Sequence, residues 1–199
     1  MSKLIIIGAS GHGKVVADIA ALSGYTDIVF LDDNTSICTC AGFPVIGTSM
    51  SAPEGDVFIA IGNANMRKRL AEHYRDRNQP VLIHPNAVIA KGVDLGPGTV
   101  VMAGAVINPG STVGRGCIVN TCSSVDHDCI VSDYVHIAVG AHLCGTVTVG
   151  EKTWIGAGAV ISNNLRICGD CMIGAGAVVV KDISISGKYL GVPAALKEE

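Results

Sequence analysis

Every sixth residue from Ile89 to Val179 is aliphatic. The series runs Ile89, Leu95, Val101, Ile107, Val113, Val119, Val125, Val131, Ile137, Leu143, Val149, Ile155, Ile161, Ile167, Ile173 and Val179. If about half of positions are apolar, an unbroken series this long has odds on the order of 1 in 10⁴ to 10⁵. A six-residue period means a parallel β-helix, and the helical period needed for an α-solenoid is missing from this stretch. Each hexapeptide supplies one short strand and one corner, and three of them close a triangular coil of about 18 residues. The aliphatic residue, at position one, points into the prism. Position five also faces inward near a corner and must be small; it reads Thr99, Ala105, Ser111, Cys117, Ser123 and Cys129 in the early coils. Position two is often Gly or Asn, as at Gly96, Asn108, Gly114, Asn120 and Gly150. It is therefore the predicted seat of the positive φ that tight corners need.

Residues 1–80 break this rule and read as alternating strands and helices. Leu4–Ile7, Ile28–Leu31 and Val57–Ile61 are apolar strand segments. Lys14–Leu22 is a predicted helix with Val15, Val16, Ile19 and Ala20 on one face, and Met66–Arg77 a polar, exposed one. Together they predict an α/β half-Rossmann βαβαβ domain. The division is thus 1–80 for the α/β domain, 81–185 for the β-helix and 186–199 for a C-terminal tail, with Lys197–Glu199 read as a disordered ending.

Composition agrees with this architecture. Apolar residues make up 49% and aromatics 4%, as expected of a core built in thin layers of Val, Ile and Ala. A net charge of −3 gives no electrostatic footprint for nucleic acid. No apolar run has the length of a transmembrane helix, and the first strand leads into a glycine turn rather than a signal-peptide cleavage site, so a cytoplasmic protein is expected. Its eight cysteines should then be reduced thiols. Cys168 and Cys171 form a C-x-x-C, but no second pair sits at zinc spacing and no metal is expected.

The candidate chemistry lies in two places. Residues 8–13, Gly-Ala-Ser-Gly-His-Gly, follow a strand and open a helix, so their backbone can approach a phosphate at the helix N-terminus. Ser10 and His12 can add donors, and Asp32, Asp33, Gly62 and Asn63 at the other strand ends should line the same crevice. The G-x-x-G-x-G spacing and the short domain favour a nucleotide-sugar over a dinucleotide. The plainer reading is a turn that merely closes tightly. On the prism, His127 sits at the outward position three between Asp126 and Asp128. A neighbouring carboxylate raises imidazole basicity and fixes its tautomer, and alternation favours Asp128 as the partner. The plainer reading is a surface histidine in an acidic patch. His136 and His142 occupy position six on successive faces and cannot stack, which counts against a zinc site of the γ-carbonic anhydrase kind.

Residues 8–13, then Leu31-Asp-Asp33, Ala60-Ile-Gly-Asn63, Asn120 to Cys129 and Gly191-Val-Pro-Ala194 occur in the order that resembles the sialic acid O-acetyltransferase-like family of hexapeptide-repeat sugar acyltransferases. Within that family the chain is most similar to the UDP-4-amino-sugar N-acetyltransferases of bacillosamine biosynthesis. The resemblance implies a left-handed β-helix and a homotrimer with active sites between adjacent prisms. It implies that Ser10, Gly11, His12, Asp32, Asp33, Gly62 and Asn63 hold a UDP-linked amino-sugar. It makes His127 the general base, with Asp128 raising its basicity and Asn120 positioning the amine. The related enzyme carries Glu where this chain has Asp128. Acetyl-CoA is implied along the groove near His136, Gly145, Ala157 and Ala175. The amine would attack the thioester directly, with a prism amide stabilising the oxyanion. O-acetylation of a sugar hydroxyl is the alternative within the same fold, and a non-catalytic nucleotide-binding scaffold the alternative outside it.

Overall fold

The computed structural model describes residues 3–197, and the chain divides into two compact units after Pro85. In order, the first unit contains β1 (Leu4–Ile7), α1 (Gly11–Leu22), β2 (Ile28–Leu31), β3 (Thr39–Cys40), β4 (Phe43–Pro44), β5 (Asp56–Ile59) and α2 (Ala64–His73). β1 is central and pairs in parallel with β2 and β5, Leu4 lying opposite both Ile28 and Asp56. β1 and β2 are buried along their whole length, which is why they read as continuous apolar runs.

Three details depart from expectation. α1 begins at Gly11 rather than Lys14, so half of the glycine turn is helical, and Val15 faces solvent while Gly13, Val16, Ala17, Ile19 and Ala20 are buried. The β2–β5 connection carries the β3–β4 hairpin instead of a helix. Gly42, Pro44, Gly47, Pro53 and Gly55 in that stretch disfavour any helix. α2 is shorter than Met66–Arg77 and buries Arg67, Leu70 and Ala71. Asn63 starts it, accepting from Met66 N at 2.9 Å.

The second unit is a parallel β-solenoid of two-residue strands in three faces. Face 1 runs from Val88–Ile89 to Val178–Val179, face 2 from Asp94–Leu95 to Arg166–Ile167 and face 3 from Val100–Val101 to Met172–Ile173. Each strand pairs with the one a full coil later, as Val106 with Ser124 and Ser124 with His142. From Val101 to Val179 every position-one side chain is buried; Ile89 and Leu95 in the first coil are half-buried. The segment expected as a tail extends face 3: Lys188–Leu190 adds in parallel and Ala195–Leu196 antiparallel. Of the expected disordered ending, Lys197 N donates to Lys188 O at 2.7 Å, and the last two residues lie outside the described range.

Positive φ falls at position four, not at position two. Cys122, Asp128, Tyr134, Thr146, Lys152, Asn164 and Asp170 adopt it alongside glycines. The position-two glycines serve clearance instead. A Cβ on Gly156 would come within 2.5 Å of Ile173 O, and one on Gly150 would overlap Gly169 N, both on the next coil. Three of the buried hydroxyls at position five both donate and accept. Ser111 Oγ donates to Asp126 O at 2.6 Å and accepts from Cys129 N at 3.0 Å, and Thr99 and Thr153 repeat the pattern.

Candidate active site

The corner between faces 1 and 2 carries Asp126, His127, Asp128 and Cys129. Ser111, one coil earlier, grips both ends of it through Asp126 O and Cys129 N. Asn108 Nδ2 donates to Asp126 Oδ1 at 2.7 Å, and that oxygen also accepts from His127 N at 2.8 Å. Asp126 Oδ1 is thereby committed to holding the corner, and the carboxyl is held below the usual carboxylate range by those two bonds. The left-handed backbone of Asp128, φ 59°, turns its carboxylate back toward the ring. His127 Nδ1 donates to Asp128 Oδ2 at 2.8 Å. That bond first, and the charge of Asp126 second, raise the imidazole above its ordinary value of 6.5. With Nδ1 committed as donor, Nε2 is left free to accept a proton from solvent-facing chemistry.

Gly145 lies on the same corner one coil later, and a Cβ there would come within 2.5 Å of His127 Nε2. Among the described residues the Gly145 amide donates no hydrogen bond, and neither do those of Ala157 and Ala175. The base nitrogen therefore lies against a residue whose amide is open.

The remaining prism residues sit on the opposite edge of face 1. Asn120 lies at the corner between faces 3 and 1, as do Ala157 and Ala175. Asn120 Oδ1 accepts from Thr121 N at 2.8 Å, and its Nδ2 is 3.2 Å from His136 Nε2. Within one chain, then, Asn120 meets His136 and not His127. His136 stacks on Trp154, with ring centroids 5.5 Å apart and planes 4° from parallel. His142 is on face 1, 2.8 Å from Ser124 Oγ. Among the described residues no group of three His, Cys, Asp or Glu is placed to hold a metal ion.

In the first unit a cavity of about 290 Å³ opens at the strand ends and is lined by Ser10, Asp32, Asp33 and Gly62, together with Ser49 and Met66. Gly11, His12 and Asn63 are not in its lining. The two aspartates brace the cavity. Asp32 accepts from Ala9 N at 2.7 Å and Asn34 N at 2.8 Å; Asp33 accepts from Ser49 N and Ser49 Oγ, both at 2.9 Å, which lowers its carboxyl below the usual range. Each carboxylate oxygen keeps a lone pair for a ligand hydroxyl. Gly8 and Gly13 close the turn: a Cβ on Gly8 would come within 2.7 Å of Ala60 O, and one on Gly13 would overlap Gly8 O. The α1 N-terminus has no acidic residue in its first turn, and the side chain of Ser10, its N-cap residue, makes no capping bond. His12 is mostly buried beside Arg67, and burial first, then the guanidinium, lowers its imidazole to about 4. Arg67, itself buried, donates through Nη1 to Ile61 O at 2.7 Å and Gly62 O at 2.9 Å.

Asn108, Gly110 (where a Cβ would overlap Asp128 Oδ1), Ser111, Ser49 and Arg67 are the functional supports that sequence reasoning missed. The first three precede Asp126, Asp128 and Cys129 by one coil, and that spacing is the signal that could have found them. Ser49 and Arg67 carry no such signal.

Residues 3–74 match the family described as PglD N-terminal domain. Over nearly the whole chain the fold is similar to the acetyltransferase domain of PglB from Neisseria gonorrhoeae FA1090, at 44% identity and TM-score 0.94, covering 98% of this chain and 99% of that one. That domain has also been solved in complex with acetyl coenzyme A. PerB from Caulobacter crescentus, in complex with CoA and GDP-perosamine, matches at 36% identity and TM-score 0.92, covering 98% and 97%. WeeI from Acinetobacter baumannii AYE matches at 29% identity and TM-score 0.90, covering 98% and 99%. The solenoid is thus the left-handed β-helix of such enzymes, and the chain belongs to the hexapeptide-repeat sugar N-acetyltransferase family that includes PglB and PerB.

Proposed function

We propose that this protein is an acetyl-CoA-dependent N-acetyltransferase acting on a nucleotide-linked 4-amino-4,6-dideoxy-sugar, with UDP as the expected nucleotide. The single observation that carries the reading is the corner where His127 Nε2, made basic through Asp128, lies against Gly145, whose amide donates no hydrogen bond within the chain. A neutral amine attacks the thioester carbonyl, and the new C–N bond leaves the nitrogen positively charged. His127 Nε2 takes that proton. The carbonyl oxygen becomes an oxyanion, to which the Gly145 N–H donates. Collapse of the tetrahedral species expels CoA as its thiolate. No covalent acyl-enzyme is needed.

The nucleotide fits the cavity at the strand ends, with Asp32 and Asp33 toward ribose or base and the α1 amides toward phosphate. Acetyl-CoA fits the edge bearing Asn120, His136, Ala157 and Ala175. That edge and the His127 edge flank face 1, whose outward column is Val88, Val106, Ser124, His142, Val160 and Val178. A homotrimer with face 1 turned inward would set one subunit's His127 edge beside the next subunit's His136 edge, completing the site. A cytoplasmic location accords with the absence, among the described residues, of a helix able to cross a membrane.

Incubation with acetyl-CoA and a panel of UDP- and GDP-linked amino-sugars tests the reading. It predicts an N-acetyl product and a preference for UDP. The complex of PerB contains GDP-perosamine, which makes GDP the second nucleotide to try. Transfer only to a hydroxyl acceptor would replace the reading with O-acetylation.

A further inference from the structure

Trp154 is the chain's single tryptophan, and the prism leaves it 45% exposed in the outward column of face 3. Its coil neighbours in that column are His136 on one side and Met172 on the other. Met172 is also exposed. An indole so placed forgoes much of the stabilisation that burial would give it. Its stack on His136 is the contact that gives the placement meaning.

His136 has one nitrogen whose role is fixed by its neighbours. The Asn120 amide oxygen is committed to Thr121 N, so the amide nitrogen must be the atom facing the ring. That nitrogen only donates, so His136 Nε2 accepts, and the neutral ring carries its proton on the buried Nδ1. An indole face attracts neutral and protonated imidazole alike. The stack therefore does not choose the tautomer; it fixes the plane in which Asn120 can choose it. Without the indole, the imidazole could turn about its side-chain bonds and leave the amide.

We propose that Trp154 is a positioning residue for acetyl transfer: its indole holds the His136 ring against Asn120, so that the Asn120–His136 pair on the prism edge assigned to acetyl-CoA keeps one arrangement. The proposal rests on the acetyltransferase reading. Trp154 touches no reacting atom and acts through His136.

The test compares wild type, Trp154→Phe and Trp154→Ala in two measurements. In ¹⁵N-histidine-labelled protein, wild-type His136 Nε2 should give the signal of an unprotonated ring nitrogen. Trp154→Ala should move it toward the average of two exchanging tautomers, and Trp154→Phe should restore it. In steady-state assays, Trp154→Ala should raise the KM for acetyl-CoA roughly threefold to tenfold, the worth of one aromatic stack, with the acceptor KM unchanged and Trp154→Phe near wild type. Circular dichroism should show both variants folded, since the side chain is half exposed. An unmoved Nε2 signal in Trp154→Ala overturns the proposal, as does an unchanged KM for acetyl-CoA. The nitrogen signal is read without turnover, so it decides the positioning claim even if wild type transfers no acetyl group, a result that would sink the acetyltransferase reading instead.

Discussion

Gly145 lies directly against the imidazole of His127: a Cβ at position 145 would stand 2.5 Å from Nε2 and 2.6 Å from Cε1. Glycine is required there by space, since its φ is not in the left-handed region. Gly145→Ala should therefore displace the base, its own amide, or both. Losing one oxyanion donor alone costs about 10²- to 10³-fold in turnover. Steady-state kinetics should show a kcat loss of at least that order in a folded protein; near-normal kcat would remove this corner from the mechanism.

The base should also be visible in the pH profile. His127 must be neutral to accept a proton, and Asp128 raises its basicity. The acid limb of kcat/KM should thus have its midpoint above 6.5, the ordinary imidazole value. Asp128→Asn removes the carboxylate, so the midpoint should fall toward that value while the plateau rate drops with the weaker base. An unmoved midpoint would mean that another group titrates.

Ser111 gives a stability prediction. Ser111→Ala leaves the Asp126 carbonyl and the Cys129 amide without their buried partner. The cost should be about 1–3 kcal/mol, read as a lower urea midpoint with unchanged m-value. Because the hydroxyl grips both ends of the His127 corner, kcat should fall too. Unchanged stability would show that the corner closes without it.

His12 predicts how stability responds to acid. Its imidazole is held near 4 in the folded chain, against 6.5 when exposed. The unfolded state therefore binds the proton more readily. The contribution is complete above 6.5, is lost as pH falls, and is gone below about 4. The size is about 3 kcal/mol. Unfolding free energies measured across that window should fall less steeply for His12→Phe than for wild type; parallel curves would contradict the assignment.

The solenoid was legible because stacking repeats: each coil must bury the same position, so one aliphatic residue recurs. The repeat could not say why glycine recurs. Position two needs it to clear the next coil, as Gly150 clears Gly169, whereas position four needs a left-handed backbone that Asp128 or Thr146 also accepts. The α1 start was misread for a related reason. Glycine disfavours helix in isolation, yet Gly13 lies in α1, where no other residue fits because Gly8 O occupies the place of a Cβ. The His127–Asp128 pair was legible because the partners adjoin. The residues that hold the corner, Asn108 and Ser111, act across one coil, and such contacts show only once coils are stacked. That Asn120 and His127 occupy different edges likewise follows from the prism and not from their nearness in sequence.

The most direct test of the account measures thiol release from acetyl-CoA in the presence of a UDP-linked 4-amino-4,6-dideoxy-sugar, for wild type and His127→Ala. The account predicts release that requires the amino-sugar and falls about 10²- to 10⁴-fold in the variant, the usual worth of a general base. Release that is equally fast in His127→Ala would contradict it.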